Sequence, residues 1–353
     1  MREFDYKSRY SKLLTPETVA TLAQIHEFRG EQKRLMHLDN AVLNHLVDLA
    51  KIQSTESSNK IEGISTSNER LKKLVRDKTM PRNRNEQEIA GYRDVLNTVH
   101  ENHDYIPLKP SIVLQLHRDL YRYSGTSTGG TYKPADNYIS ETLADGTEQI
   151  RFVPVPAWET PECVEKICQA YNDAVDRDEC DPLLVIPMFI LDFLCIHPFS
   201  DGNGRMSRLL TLLLLYRADY DIGQYISIEE KIAKSKDTYY QALQDSSNGW
   251  HEGENDDAPF VNYTLGVLLA ACRDFADRAK ILESDEGKSK PGRVREFIKN
   301  TLGKVTKSEI VKQCPDMSKI TIERALAEMV KSGEIIKIGG GRYTAYTWNR
   351  ERD

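Results

Sequence analysis

The chain has 353 residues, of which 39% are hydrophobic and 29% charged, with a mean hydropathy of -0.55. This composition excludes wholesale disorder, and the length allows two or three domains. The formal net charge of -6 is unevenly spread, because residues 288–353 carry 15 Lys and Arg against 8 Asp and Glu. An acidic body with a basic tail indicates a nucleic-acid contact in the tail.

The chain does not open on an apolar stretch, so the sequence predicts no signal peptide. The two most apolar windows, Leu183–Ile196 and Leu209–Tyr216, are too short to span a bilayer. The six cysteines form no CxxC pair, and nothing in the sequence indicates secretion. We therefore expect reduced thiols, no membrane partner and a cytoplasmic location.

The spacing of apolar residues predicts a mainly α-helical chain. In chain order, helices are expected at residues 16–29, 38–53, 67–77, 85–102, 110–123, 160–176, 182–195, 204–217, 228–245 and 258–282. Two runs of alternating polarity, Tyr138–Leu143 and Glu148–Val153, flank an Asp-Gly pair and predict a β-hairpin.

The end of the chain follows a different pattern. Residues 283–292 are polar and end in Pro-Gly, which predicts a linker. Beyond them, residues 293–353 resemble a winged helix-turn-helix domain. Its predicted elements are helices at 293–302, 308–313 and 318–332 and strands at 335–338 and 342–348.

Residues 197–208, HPFSDGNGRMSR, combine several groups suited to phosphate chemistry. An apolar helix ends before them, and a new helix begins after the turn at residues 201–204. Glycines there let backbone N–H groups point into one space at the positive end of the new helix, which predicts an anion site. Arg205 and Arg208 share one face of that helix, so the anion is expected to be a polyphosphate.

Two further side chains of this segment can take part in a reaction. His197 can accept a proton near neutral pH, and Asp201 can hold a Mg²⁺ ion that bridges phosphates. A tight glycine turn with surface arginines and a core histidine is the alternative.

The twelve residues resemble the HPFxDGNGRxxR signature of the Fic (Fic/Doc) family, with every fixed position present. The resemblance implies a Fic-type helical bundle over residues 105–282 that moves AMP from ATP onto a protein hydroxyl and releases pyrophosphate. It implies His197 as the general base and Asp201 as the Mg²⁺ ligand. The implied phosphate ligands are Gly202, Asn203, Gly204, Arg205 and Arg208.

Glycine at positions 202 and 204 favours AMP transfer over phosphorylation, since Doc-like kinases carry Ala and Lys there. Transfer of other nucleotides or of phosphocholine remains open.

The family also has a hairpin, called the flap, that covers the nucleotide and adds the target segment as a further strand. The 138–153 hairpin has the matching position, with a merely decorative hairpin as the alternative. The resemblance puts Arg151, Phe152, Val153 and Pro154 nearest the ligand. It puts Tyr239 and Tyr240 against the adenine and adds Asn248 as a weaker candidate, whereas ordinary helix packing is the other interpretation of the tyrosines.

Residues 57–64 resemble the [ST]xxxE[GN] inhibitory motif of Fic proteins, in an N-terminal region that spans residues 1–104. Ser58 and Glu62 are four apart and share one face of a helix predicted at about residues 55–64. Gly63 lets that helix end. We expect Glu62 to pair with Arg208 and so to withhold the cation that the γ-phosphate needs.

These observations predict an autoinhibited protein adenylyltransferase that modifies Ser, Thr or Tyr of a target protein, itself included. The alternative is a winged-helix DNA-binding regulator whose Fic body senses nucleotide, although a sensor has no use for the base His197. In residues 293–353 the third helix would offer Lys319, Thr321, Arg324 and Lys331 to DNA. Such domains also dock proteins or a second copy, so a homodimer is a further expectation.

Overall fold

The computed structural model describes residues 2–35, 40–125, 129–142, 146–176, 180–283, 290–301, 304–314, 317–341 and 344–349. The tip of the predicted hairpin at 143–145, most of the predicted linker at 284–289, and Arg342 of the predicted wing lie outside these residues. The chain divides into two compact units. The large unit comprises residues 1–29 and 50–272, and the small unit comprises residues 30–49 and 273–353.

The described chain is mainly helical, as predicted. Its α-helices are, in order, α1 (Tyr6–Tyr10), α2 (Pro16–Leu35), α3 (Asn40–Ile61), α4 (Asn68–Arg76), α5 (Arg84–Asn102), α6 (Pro110–Leu120), α7 (Thr160–Val175), α8 (Pro182–Ile196), α9 (Asn203–Arg217), α10 (Ile222–Tyr225), α11 (Ile228–Lys234), α12 (Lys236–Ser247), α13 (Ala258–Glu283), α14 (Lys290–Asn300), α15 (Lys307–Gln313) and α16 (Lys319–Lys331). Short 3₁₀ turns follow α1 at Ser11–Leu13 and α5 at His103–Tyr105. Among the described residues, no helix is long and apolar enough to cross a membrane.

Helices α8 and α9 form the centre of the large unit. Nearly every side chain of α8 is buried, and α8 packs against both α7 and α9. A helix that is apolar on all sides must be enclosed by others, which explains its central place. The Asp181 side chain caps its first turn, and Pro182 occupies a position where the missing N–H costs nothing. The loop between α8 and α9 is therefore held by the most buried part of the fold.

Several helical predictions differ from the structure: α2 continues beyond the predicted end at residue 29, α14 begins inside the predicted linker, and α1 and α10 were not predicted. Two further differences have a physical reason. A break was expected near residue 54, but α3 continues to Ile61, and two of its hydroxyls bond side chains outside the helix: Ser54 Oγ donates to Ser227 Oγ at 2.9 Å, and Ser58 Oγ accepts from Arg208 Nε at 2.8 Å. Conversely, the helix expected over 228–245 is broken at Ser235. The Ser235 hydroxyl bonds the Lys231 carbonyl at 3.0 Å and so competes with the helical backbone pattern.

The predicted hairpin consists of β1 (Ile139–Thr142) and β2 (Glu148–Phe152), paired antiparallel. The register pairs Ser140 with Ile150 and shifts by one residue between Ile139 and Ser140. Such a bulge bends the strand and increases its twist locally. In the described residues the hairpin is a two-stranded sheet of its own, so it has open edges.

The small unit contains α14, β3 (Val305–Thr306), α15, α16, β4 (Ile335–Ile338) and β5 (Ala345–Trp348). The strands form an antiparallel sheet in the order β3-β5-β4. A separate apolar core includes Ile298, Ile310, Ile322 and Leu326. The two-residue strand β3 was not predicted, since it is too short for any period to be recognised. The winged-helix assignment of residues 293–353 stays a prediction.

Candidate functional site

The histidine that ends α8 has an unusual backbone conformation. His197 lies in the left-handed region, with φ 51° and ψ 61°, and its N–H donates to the Phe193 carbonyl at 3.0 Å. Residues other than glycine rarely adopt this conformation, and it recurs at functional sites. It turns the chain out of the helix so that the imidazole lines a cavity.

The imidazole of His197 is arranged as a neutral proton acceptor. Its Nδ1 lies 3.3 Å from the Leu194 carbonyl oxygen and donates to it, which leaves the lone pair on Nε2. Burial, with a smaller contribution from the charge of Lys133, lowers the pKa of His197 to about 4. The carboxylates of Glu62 and Asp201 act in the opposite direction.

Lys133 fixes the start of the loop and was not singled out from the sequence. Its buried ammonium donates to the Ile196 carbonyl and to Asn137 Oδ1, each at 3.0 Å, and its N–H donates to the Pro198 carbonyl at 2.9 Å. A cation at the C-terminal end of α8 is stabilised by the helix dipole. Burial lowers the pKa of Lys133 to about 8.

The middle of the loop is held from α6. The His117 ring stacks on Phe199 with centroids 3.6 Å apart, accepts from the Gly130 N–H at 3.0 Å and donates to the Asp201 carbonyl at 3.1 Å. Asn203 is buried and bonds the backbone of Phe199 through both its amide oxygen and nitrogen. Asn203 therefore fixes the shape of the loop, and it does not line the cavity.

The turn before α9 requires glycine at position 202. Gly202 has φ +84°, and a Cβ there would meet the Tyr121 hydroxyl at 2.9 Å. Its N–H donates to Asp201 Oδ1 at 2.7 Å. The N–H groups of the next residues begin α9 and have no acceptor within the helix, so they remain available to an anion.

Arg205 lies away from the cavity. It is 1% exposed, its Nη1 is 2.8 Å from Glu88 Oε2, and its Nη2 donates to the Tyr121 hydroxyl at 2.8 Å. From the sequence, Arg205 was expected to bind phosphates beside Arg208. In the structure its guanidinium pairs with the buried carboxylate of Glu88 instead. Sequence spacing could not indicate this, because Glu88 belongs to α5 and Tyr121 follows α6.

Arg208 is buried against the end of α3, where the inhibitory motif was predicted. Its Nε donates to Ser58 Oγ at 2.8 Å, and its Nη2 donates to the Ser58 carbonyl at 2.9 Å and to Glu62 Oε1 at 2.7 Å. Burial disfavours the charged form of Arg208, but the nearby Glu62 carboxylate raises its pKa above the usual value. The guanidinium is therefore charged and occupied in this state.

The end of α3 differs slightly from the prediction. The helix stops at Ile61, so Glu62 is the first residue beyond it, and Gly63 takes φ +78°. The Gly63 N–H donates to the Lys60 carbonyl and the Ile64 N–H to the Asn59 carbonyl, each at 3.0 Å. This pattern closes a helix end in the way expected of a glycine there.

One cavity of about 410 Å³ brings several of the predicted residues together. This volume suits a small-molecule site. One part of its wall is formed by Glu62, His197, Gly204 and Arg208, and Glu62 Oε1 occupies the space that a Cβ on Gly204 would need. The remaining lining comes from α8, the hairpin and α12: Leu191, Leu194, Cys195, Ile139, Ser140, Arg151, Phe152, Lys236, Tyr239, Tyr240, Leu243, Gln244 and Ser247.

Half of the predicted flap contacts line the cavity. Arg151 Nη2 donates to the Tyr240 carbonyl and to Gln244 Oε1, each at 2.9 Å, and the Phe152 ring is stacked on His251. Val153 and Pro154 are not in the lining; the Val153 carbonyl lies 2.8 Å from His251 Nε2 instead.

The two tyrosines predicted to lie against the adenine, Tyr239 and Tyr240, line the cavity from α12. Tyr239 is buried and Tyr240 half-buried, and burial raises the pKa of both phenols. Their rings are 5.3 Å apart and edge-on, and the Arg151 guanidinium lies 5.7 Å from the Tyr240 centroid. Asn248 follows the last residue of α12, is exposed and is not in the lining.

The loop offers a single carboxylate, that of Asp201, whose side chain is 61% exposed. The described residues contain no group of three or more His, Cys, Asp or Glu able to hold a metal ion. Mg²⁺ is commonly held by one carboxylate with water and phosphate oxygens. Asp201 fits that mode, in which the ion arrives with the nucleotide.

A family model described as the Fic/DOC family matches residues 107–215. A Fido domain-containing protein of Dictyostelium discoideum is 34% identical over 97 residues, which cover 25% of this chain and 68% of that protein.

The chain belongs to the Fic/DOC family.

Other Fic proteins resemble it at greater distance. The protein adenylyltransferase Fic of Nematostella vectensis is 26% identical over 224 residues, covering 61% of this chain and 46% of that protein. This Fic chain thus spans less than half the length of that relative. A crystal structure of a Fic domain-containing signalling protein from Bacteroides thetaiotaomicron has a TM-score of 0.61 at 23% identity, covering 75% of this chain and 99% of that one. The large unit therefore has the Fic fold.

Proposed function

We propose that this Fic protein is an autoinhibited adenylyltransferase that moves AMP from ATP onto a hydroxyl side chain of a protein. One observation carries the proposal. A neutral imidazole, that of His197, and a buried cation, that of Arg208, line the same cavity, and the cation is already bound by Glu62. The names of relatives such as the adenylyltransferase of Nematostella vectensis support the reaction class.

In the proposed reaction, the oxygen of the target hydroxyl attacks the α-phosphorus of ATP. The bond from that phosphorus to the bridging oxygen breaks, and pyrophosphate leaves. His197 Nε2 takes the proton of the attacking hydroxyl. The N–H groups at the start of α9 hold the phosphates, and Mg²⁺ at Asp201 would supply charge neutralisation.

The proposed inhibition follows from the carboxylate of Glu62 at the end of α3. Glu62 and the Ser58 carbonyl together occupy the Arg208 guanidinium, which the γ-phosphate would otherwise need. Glu62 also brings a negative charge into the cavity that ATP must enter. ATP would bind weakly, or bind with the α-phosphorus out of line for attack.

The target is proposed to be a protein segment that pairs with the hairpin. The hairpin is two-stranded, and Ile150 and Val153 on it are 57% and 49% exposed. An extended segment can add to such an edge through main-chain hydrogen bonds, which brings a Ser, Thr or Tyr to the cavity. Self-modification would use a segment of the same chain or of a second copy.

The experiment compares the wild-type protein with Glu62→Gly, with Mg²⁺ and ATP labelled on the α-phosphate. We expect labelling of the protein itself, and of targets in a cell lysate, to rise about tenfold or more in Glu62→Gly, because Arg208 becomes free. Asp77→Gly is the matched control, since Asp77 is also an exposed carboxylate directly after a helix. It should label at the wild-type level.

His197→Ala in the Glu62→Gly protein separates this proposal from a nucleotide sensor. Loss of the general base should lower labelling by about 10²- to 10⁴-fold. Labelling that persists in this double variant would contradict the proposed role of His197 as general base. ATP labelled on the γ-phosphate should give no signal, because the label leaves with pyrophosphate.

DNA binding by residues 293–353 is a second, separate proposal, and the charge of this segment favours it. Residues 288–353 carry a formal charge of +7, and Lys319, Arg324 and Lys331 are exposed on α16. Filter binding to random duplex DNA should weaken steeply between about 50 and 200 mM salt. Binding that is absent at low salt, or indifferent to salt, contradicts it.

A further inference from the structure

The last four carbonyl groups of α3 all have partners, although no helix can satisfy them internally. The backbone of the following turn bonds two of them, the carbonyls of Asn59 and Lys60. Cationic side chains bond the other two. Arg208 Nη2 donates to the Ser58 carbonyl, and Lys236 Nζ donates to the Ile61 carbonyl at 2.9 Å.

The backbone and the ring contact of Lys236 fix its ammonium beside the Ile61 carbonyl. It begins α12 directly after the break at Ser235, whose hydroxyl is fixed by the Lys231 carbonyl and by the Tyr263 hydroxyl at 2.8 Å. Its ammonium lies 5.7 Å from the centroid of the Tyr240 ring, a distance at which a cation is attracted to the aromatic face. The position of the ammonium is therefore defined from both sides.

The contact acts on the peptide group that precedes the inhibitory carboxylate. The carbonyl of Ile61 and the N–H of Glu62 belong to one rigid peptide plane. Lys236 holds the carbonyl side of that plane, and the Glu62 N–H donates to the Asn59 carbonyl at 3.0 Å on the other side. The plane from which the Glu62 side chain starts is thus held at both edges.

We propose that Lys236 is a positioning residue of the inhibited state: it holds the end of α3 so that Glu62 reaches Arg208. The inference rests on the proposed function, since it concerns how the same site is switched off. A cation at a helix C-terminus is stabilised by the helix dipole, and the effect falls off beyond the last turn. Lys236 thus stabilises the end of the helix without touching the carboxylate that inhibits.

The test uses labelled ATP and four forms of the full chain: wild type, Lys236→Met, Glu62→Gly and the double variant. Methionine keeps the apolar stem and removes the donor and the charge. We expect Lys236→Met to label about two- to fivefold more than wild type, the range that a helix-end charge is worth. In the Glu62→Gly background the same change should give no increase, because nothing remains to be positioned.

Two further variants exclude a general effect of charge. Lys234→Met removes an exposed lysine from the preceding helix, where it pairs with Glu230, and should leave labelling at the wild-type level. Lys236→Arg restores a cationic donor and should restore inhibition at least in part. A merely structural role would not show this dependence on Glu62 and on a cation.

Hydrogen exchange gives a readout that needs no activity. The amides of Glu62, Gly63 and Ile64 are bonded to carbonyls of α3. They should exchange faster in Lys236→Met than in wild type, whereas amides within α9 should not change. This measurement also reports if the variant is unfolded, since the α9 amides would then exchange as well.

The outcomes distinguish the two proposals. If Glu62→Gly fails to label, the proposed function is wrong, whatever Lys236 does. If Glu62→Gly labels but Lys236→Met matches wild type in labelling and exchange, the role of Lys236 is wrong and the proposed function stands. Activation by Lys236→Met that is equal with and without Glu62 also overturns the positioning role.

Discussion

At the scale of single residues, the protonation of His197 is set before any substrate arrives. The imidazole is half-buried and lies near the ammonium of Lys133, and both features disfavour the protonated ring; the bond from Nδ1 to the Leu194 carbonyl acts in the opposite direction but does not outweigh burial. A base whose pKa lies below the working pH is ready to accept a proton at once. It is also a weaker base than a free histidine, so the proposed reaction would depend on positioning and on neutralising phosphate charge.

A pH titration should reveal this depressed pKa. A group whose folded pKa is near 4 stays neutral as the pH falls from 8 to 5 and is protonated only as the pH passes through that value. We expect the His197 resonances in long-range ¹H–¹⁵N spectra to remain those of a neutral ring at pH 5, whereas an ordinary histidine changes near 6.5. The His197 resonances are assigned as those that are absent from the spectrum of the His197→Asn variant. A midpoint near 6.5 for His197 would contradict the burial described above.

The loop residues could be found from sequence, but their individual orientations could not. The turn chemistry and the cluster of charges pointed to 197–208 as one site. Arg205 and Arg208 have equivalent positions in the pattern, yet one is paired with Glu88 and the other with Glu62. The difference comes from partners in helices that are distant in the chain, which no local spacing records.

At the scale of elements, α3 is attached to its neighbours by a buried polar network. Tyr92 of α5 donates to Glu229 Oε1 at 2.9 Å, and Ser227 donates to the other carboxylate oxygen at 3.3 Å. Ser54 of α3 donates in turn to Ser227. A buried carboxylate needs such donors, so this network fixes α3 in one register against α5 and α11.

Removing the tyrosine donor should be costly. Tyr92→Phe leaves Glu229 with one fewer hydrogen bond, and we expect the free energy of unfolding in urea to fall by about 1.5–3 kcal/mol. Tyr216→Phe is the matched control, because Tyr216 is equally buried but its hydroxyl lies 3.4 Å from His100 Nε2, a long contact. Equal losses in the two variants would mean that the carboxylate does not depend on Tyr92.

Element types were predictable from sequence, and some boundaries were not. The long apolar helices and the hairpin have strong periods or turn signals. The continuity of α3 through its hydroxyl residues and the break at Ser235 both depend on where side-chain hydroxyls find partners. Those partners, Ser227 and Tyr263, are supplied by the tertiary fold.

At the scale of the whole molecule, the first residues of the chain are tied to the centre of the large unit. Arg9 bridges two buried carboxylates, with Nη1 2.7 Å from Asp192 Oδ2 and Nε 2.8 Å from Asp257 Oδ2. Trp250 Nε1 also donates to Asp192 at 2.7 Å, and the Trp250 ring contacts Phe152 of the hairpin. The N-terminal segment is therefore linked to the wall of the cavity.

Loss of Arg9 should destabilise the large unit strongly. Arg9→Met leaves Asp257 buried without a cation and Asp192 with only the guanidinium of Arg2, 3.8 Å away, and we expect the free energy of unfolding in urea to fall by about 3–5 kcal/mol. Arg29→Met is the matched control, since the Arg29–Asp219 pair is largely exposed. It should cost less than about 1 kcal/mol. Similar urea midpoints of unfolding for the two variants would show that Asp192 and Asp257 find other partners when Arg9 is lost.

Long-range contacts of this kind were beyond sequence reasoning. No helix was predicted at residues 6–10, and nothing in a five-residue segment indicates that it meets α8. The charge asymmetry of the chain was visible from composition alone. The division into two units, each containing two separate stretches of the chain, was not, because helices predicted from local periods carry no information on which unit they join.

The lack of a side chain at Gly204 limits where activating mutations can occur. The space beside Gly204 is filled by Glu62 in this structure and is proposed to receive phosphate when the enzyme is active, so a side chain at position 204 would disturb both arrangements. Spontaneous mutations that switch on the proposed activity should therefore be recovered at Glu62 and at Lys236, which is proposed to hold the end of α3. No activating mutation is expected within residues 197–208, because a substitution there that released Glu62 would also damage the phosphate site.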